Sequence, residues 1–399
     1  MKNSKLKGIL AALLSAALIA GTGCSGTAHT ANEQSTTAAA QASAAEVSET
    51  ETQTETEAQT ETETQTETEA DTEAVTEAES EAQTETPQSE NSADDGVIDA
   101  AALIPADLVI EPALWKVTDP ESQNSLYLMG TFHAVPESTY PLPDYIEDIY
   151  KDCDGIAVEY DVEKLTDPEQ LDMAAAQEYS SAIVYTDGTL LSDHVSEDSY
   201  TQIKEFADVV LGGWNDLYDY YNIGFWISTI NSVKVMGISG FDFNNGVDKY
   251  FLGKAKADGK SVTDIEELSA QLNVINAYTD ALGDTLLLET FKEMDNNRSF
   301  AEEIVNMYIA WASGDIDAID EINRKSMDDE SIPAELAPDI EKYFDTVYYS
   351  RNAGMAEKAS EYLKNGDNLF FMVGAAHFCG EKGIPALLTD MGYTVEKLH

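Results

Sequence analysis

Positive charge is what this 399-residue chain has least of: 22 Lys and Arg stand against 75 Asp and Glu, a formal net charge of −53. Proteins that hold a phosphate backbone cluster their basic residues, so a nucleic-acid partner is not expected. Cysteine is scarce too, with only Cys24, Cys153 and Cys379, which excludes a disulfide-framework fold. For Cys153 and Cys379 the default reading is two buried small residues, with a disulfide as the alternative. The chain contains no P-loop, no His-Glu-x-x-His, no Gly-x-Ser-x-Gly and no Cys-x-x-Cys. Any catalytic set is therefore assembled from distant segments. Histidine is limited to five positions, 29, 133, 194, 377 and 399, so the candidates are few.

The N-terminal quarter lacks large apolar side chains, except at its start. Lys2, Lys5 and Lys7 precede an apolar run over residues 8–20, too short to span a bilayer comfortably, which has the layout of a bacterial export signal. The run ends at Gly21, Thr22, Gly23, Cys24 and Ser25, similar to a lipoprotein signal-peptidase site, although Gly21 stands where that pattern usually has leucine. Residues 1–23 are thus expected to be a signal peptide and Cys24 the lipidated residue, anchoring an extracytoplasmic protein to the cell membrane; an ordinary secretory signal is the alternative. From there to residue 95 the sequence is Thr, Glu, Ala, Gln and Ser, with Glu-Thr repeats over 49–86. It cannot bury enough surface to offset the entropy of ordering, so residues 24–95 read as a disordered acidic tether.

What the tether lacks, residues 96–399 possess. Residues 113–117 and 126–129 flank a turn at 119–124 and read as a β-hairpin. A helix is expected over 145–152 with Asp144 as its cap, then a strand at 156–161 carrying Glu159. Residues 167–349 are largely helical in pattern, and the aromatic stretch 214–226 suits helix-to-helix packing better than a substrate groove. A further strand ends at Glu266, a helix begins at Arg351 and stops at Gly366, and a strand around Phe370 leads into a helix over 384–390 and a short strand at 392–395. Alternating strands and helices argue a mixed α/β domain with a helical insertion.

Two places carry chemistry. NSLYLMGTFH from Asn124 to His133 and NLFFMVGAAH from Asn368 to His377 share one design: Asn, an apolar run, then Gly-x-x-His. Each puts an imidazole just past a buried strand, and a repeated strand and turn is expected to pack with its copy about a pseudo-two-fold axis. His29 lies in the tether, His399 ends the chain and His194 sits in a polar context read as a solvated loop. That leaves His133 and His377 to face one site. Two imidazoles and a carboxylate could hold a divalent metal with a position open for water, Glu159 being the first candidate and Glu266 the second. Gly130 and Gly374 allow close backbone approach, and Thr131 could support the site. Arg351 could bind a substrate carboxylate or steady an oxyanion, with Asn352 adding a hydrogen bond; a surface or capping role for the pair is the other reading.

These residues, with Gly246, Asp248 and Gln271, resemble the TraB/GumN family, which includes the Tiki proteases, over about residues 113–398. The resemblance implies a mixed central β-sheet with flanking helices and duplicated halves, akin to the erythromycin-esterase and ChaN proteins. It also implies a metal-dependent peptidase using manganese or cobalt on a peptide or protein substrate, with His133, His377 and Glu159 as ligands and Arg351 and Asn352 as neighbours. Phe132 departs from the family's usual β-branched aliphatic residue. Two other readings stay open: a peptide-binding protein without turnover, and a metal-free hydrolase using His133 or His377 as general base.

Overall fold

The computed structural model describes residues 99–168, 170–294, 297–325 and 332–399. The expected leader, Cys24 and the tether lie outside the described residues. In chain order the elements that position the site are β1 (Leu114–Thr118), β2 (Ser125–Thr131), α1 (Asp144–Asp152), β3 (Gly155–Val158), α2 (Glu197–Val210), α3 (Ile223–Met236), α4 (Val247–Asp258), β4 (Ser261–Asp264), α5 (Asp280–Met294), α6 (Asn297–Ala312), α7 (Ser350–Asn365), β5 (Leu369–Gly374), α8 (Ile384–Asp390) and β6 (Thr394–Lys397). The class is α/β, as expected.

One six-stranded sheet has the order β4-β3-β5-β2-β1-β6. The hairpin forms as read, with Leu114 opposite Met129 and Thr118 opposite Ser125. β2 lies parallel to β5, β5 to β3 and β3 to β4. The sheet is buried on both faces, so its inner strands are continuously apolar rather than alternating. Alternation survives in which core each residue joins. Phe370, Met372, Ile156, Val158 and Met129 enter one core with Ile146 and Tyr150 of α1, Phe251 of α4 and Trp311 of α6. Phe371, Val373, Ala157 and Leu128 enter the other, with Met355, Ala359 and Leu363 of α7 and Ile384 and Leu388 of α8. A one-residue slip would exchange the two sets, which pins the register. Burying a side chain of this size stabilises by about 1.5–3 kcal/mol.

The two motif strands are neighbours, but duplicated halves are not shown. Gly130 lies opposite Val373 and Thr131 opposite Gly374. Beyond that pair the likeness stops, because the outer neighbour of β5 runs parallel and that of β2 antiparallel.

The insertion has its own core, in which Phe206 of α2, Trp226 and Ile230 of α3, Leu287 of α5 and Phe344 and Tyr348 meet. Trp214, in the loop after α2, stacks on Trp226 of α3, so the aromatic stretch packs against this core. α1 begins at Asp144 with Pro143 at the cap position, so Asp144 is the first helical residue rather than the cap; its charge, with Glu147, suits the helix N-terminus. α7 ends at Gly366 in the left-handed conformation, φ 76°, as the glycine stop requires. His194 is less solvated than expected, stacking on Tyr185 with Nδ1 at 3.0 Å from Asp280. Cys153 and Cys379 are not joined.

Candidate active site

Four adjacent parallel strands, β4, β3, β5 and β2, end at one edge, and just past those ends stand Glu266, Glu159, His377 and His133. Residues beyond the carboxyl ends of parallel strands are free of the ladder and can aim side chains into a common crevice. Three of the four meet over Gly374. A Cβ built there would lie 3.3 Å from Glu159 Oε1, 3.5 Å from His133 Nε2 and 3.7 Å from His377 Cδ2. Glycine leaves that volume open as a small cradle. Gly130 serves closeness instead, since its Cβ would meet Ala375 Cα at 2.9 Å, in the 3₁₀ turn Ala375–Phe378 that carries His377. Trp311 Nε1 donates to the Gly130 carbonyl and fixes the strand end from below. Phe132 is buried among Tyr308 and Trp311, away from the cradle.

Each imidazole is oriented by its far nitrogen. His133 Nδ1 lies 2.6 Å from Asp248 Oδ2, in the first turn of α4, and Thr131 Oγ1 donates to the other oxygen of that carboxylate at 2.6 Å. An ionised carboxylate only accepts, so Nδ1 carries a proton, and Nε2 is the ring nitrogen turned toward the cradle. Burial opposes a charge on His133, yet Asp248 outweighs it and the pKa is raised. His377 Nδ1 lies 2.5 Å from Asn352 Oδ1, while Asn352 Nδ2 donates to the Lys382 carbonyl, which sets which way the amide points. His377 therefore also holds its proton on Nδ1. Its Nε2 is buried without a hydrogen-bond partner and sits 3.7 Å from Glu159 Oε1. Burial pushes His377 down to about 3, so the ring is neutral. Tyr348 meets it edge-on at 5.7 Å, from a π-helical turn at Asp345–Tyr349 that runs into α7.

Glu159 uses its oxygens differently. Oε1 accepts from the Gly374 N–H at 2.7 Å and Oε2 from Arg351 at 2.5 Å. Burial works against its charge, but Arg351, helped by the Gly374 N–H, holds the carboxyl well below its usual range. Arg351 is 6 % exposed and reaches Glu266 Oε2 at 2.7 Å as well, so its guanidinium is committed to two carboxylates. One cation cannot fully compensate two buried anions, and burial pushes Glu266 above its usual value in spite of Arg351. Gln271 donates to both glutamates, at 3.2 Å to Glu159 and 2.8 Å to Glu266.

The structure thus brings together His133, His377, Glu159, Arg351, Asn352, Thr131 and Glu266, with Glu266 behind Arg351 rather than at the cradle. Asp248, Gln271 and Tyr348 were given no separate role by sequence reasoning. The acid after Gly246 was a visible signal for Asp248, but its partner is 115 residues away. Among the described residues no group of three or more His, Cys, Asp or Glu stands as arranged at metal-holding spacing. The donor chemistry nevertheless suits a cation: a neutral imidazole nitrogen without a hydrogen-bond partner, a second imidazole and a charged carboxylate oxygen around the Gly374 cradle.

Fold and site together define an α/β protein with two histidines and a carboxylate gathered at the C-terminal ends of the parallel strands of a mixed sheet. A model of the TraB/PrgY/gumN family matches residues 113–397, and the chain belongs to that family. Comparisons with curated proteins and with solved structures find no match.

Proposed function

We propose that the site is the centre of a metal-dependent hydrolase acting on peptide bonds, in a protein held outside the cytoplasm by an N-terminal lipid on Cys24. The observation that supports it is the pair of imidazoles, each donating its Nδ1 proton to a dedicated acceptor and each turning its far edge toward the Gly374 cradle beside Glu159. Such outer partners are what orient histidine ligands in metal sites. A divalent cation such as manganese or cobalt, held by His133, His377 and Glu159, would supply the Lewis acidity that activates water and polarises the scissile carbonyl.

The chain's own residues do the rest. Asp248 keeps the His133 ring in one tautomer and one plane, and Thr131 keeps Asp248 in place. Asn352 does the same for His377. Arg351 holds Glu159 ionised and fixes which of its oxygens faces the cradle. Because it is spent on Glu159 and Glu266, Arg351 is a positioning residue, not a substrate clamp.

A second reading has its own observation. The short Asp248–His133 pair, with its raised imidazole pKa, is the arrangement of a general base, and it could activate water without metal. One experiment separates the two: cleavage of a peptide library by the full chain, with and without a chelator and added manganese, for wild type and His377→Ala. Loss of cleavage on chelation and in the variant supports the metal centre. Cleavage indifferent to chelation favours the general base, and tight peptide binding with no turnover in any condition would leave a binding protein.

A further inference from the structure

Beside the histidine site lies a cleft of about 420 Å³, the size of pockets that take a small ligand or the end of a peptide. Its walls are Phe344, Tyr348, Tyr349 and Asn352, and among its lining residues the one cation is Lys382. In a domain where acids outnumber bases roughly three to one, many basic groups have an acidic partner close by, as Lys164, Lys254 and Arg351 do. Lys382 does not. Its ammonium lies over the Tyr349 ring, 4.0 Å from the centroid, and pairs with no acid among the described residues. Two acids, Asp320 and Glu381, also line the cleft, so a carboxylate seated anywhere but on Lys382 would meet repulsion.

The position of Lys382 is tied to the candidate catalytic centre. The backbone reverses at Gly380, φ 67°, and the Lys382 carbonyl accepts from Asn352 Nδ2 at 2.9 Å. The other end of that amide holds His377. Tyr348 spans the same gap, lining the cleft while its ring meets His377 edge-on. A group bound at Lys382 is therefore in fixed register with His377.

We propose that Lys382 recognises a carboxylate of the substrate, with the aromatic walls holding the adjoining residue, so that the enzyme selects peptides bearing an anionic group at a set distance from the bond it cleaves. This rests on the hydrolase reading given above. The carboxylate has two sources, the free C-terminus of a short peptide or an internal acidic side chain.

The test uses full-length wild type, Lys382→Met and Lys382→Arg with two peptide pairs: a free C-terminal acid against its amide, and an internal Asp against Asn. Wild type should favour the acid member of one pair by about tenfold in kcat/KM, carried mainly by KM, and that pair identifies the source. The ratio should fall close to one in Lys382→Met and be kept in Lys382→Arg. No preference in wild type, or a preference that survives Lys382→Met, overturns the proposal. Fluorescence anisotropy with the same labelled peptides separates the two levels. Discrimination that appears in binding and is lost in Lys382→Met, with no cleavage, supports the cleft while the hydrolase reading fails; absence of both cleavage and binding overturns the cleft as well.

Discussion

At the scale of single residues, the site depends on side chains that orient the proposed ligands. Asn352 is the plainest case, since its amide oxygen accepts the His377 Nδ1 proton. Asn352→Leu keeps the volume and removes the acceptor, and metal affinity measured by titration calorimetry should fall about 10- to 100-fold while the far-UV spectrum is retained. Arg351 makes a different prediction, about pH. In wild type the folded pKa of Glu159 is depressed, so its contribution is present above the ordinary glutamate range and lost as pH falls through the folded value. In Arg351→Met burial acts on two carboxyls without a guanidinium, and their folded pKa values rise above the unfolded ones. Stability is then fully present below the unfolded value and lost as pH rises through the raised values. Urea unfolding should find the variant less stable by about 3–5 kcal/mol near neutrality, with the gap to wild type narrowing toward pH 5. A gap that widens on acidification would contradict the burial account.

At the scale of elements, the strand ends do the positioning, and they were the legible part. The runs before His133 and His377 are apolar because both sheet faces are covered, and each stops at a glycine, so strand, turn and imidazole appear within ten residues. Glu159 could be read the same way, one residue past β3. What could not be read is pairing across the chain. Asp248 meets His133 over 115 residues and Arg351 meets Glu159 over 192, and no local period encodes either contact. Hence Arg351 reads equally well as a substrate clamp or a surface group until its two carboxylates are seen. Duplicated halves are not shown for a related reason: two similar strands fix a local shape, but not the direction of the strands beside them. The strand-end account predicts that Gly374→Ala folds. Its φ of −51° suits any residue, and the nearest contact, 3.3 Å to Glu159, costs no more than about 1 kcal/mol in thermal unfolding. The methyl group nevertheless fills the cradle, so cation binding and peptide cleavage should both be lost.

At the scale of the whole molecule, the site is one crevice on an acidic body. A ligand that binds only the folded state stabilises it by mass action, by about 2.7 kcal/mol at a hundredfold excess over Kd. Manganese should therefore raise the thermal midpoint of the full chain and a chelator reverse it, whereas a cation gathered loosely by surface acids would leave the midpoint of wild type and His377→Ala shifted alike. Among the described residues no helix is long and apolar enough to cross a membrane. The proposed anchor is the lipid on Cys24, and Cys24→Ser should move the protein from the membrane to the soluble fraction after fractionation of expressing cells.

The central claim is that His133, His377 and Glu159 enclose one metal ion. Titration of cobalt(II) into the full chain, followed by its visible d–d absorption, tests it most directly. The account predicts a saturable spectrum at one equivalent that disappears in His133→Ala and in His377→Ala. A spectrum that is absent from wild type, or that persists unchanged in both variants, would contradict it.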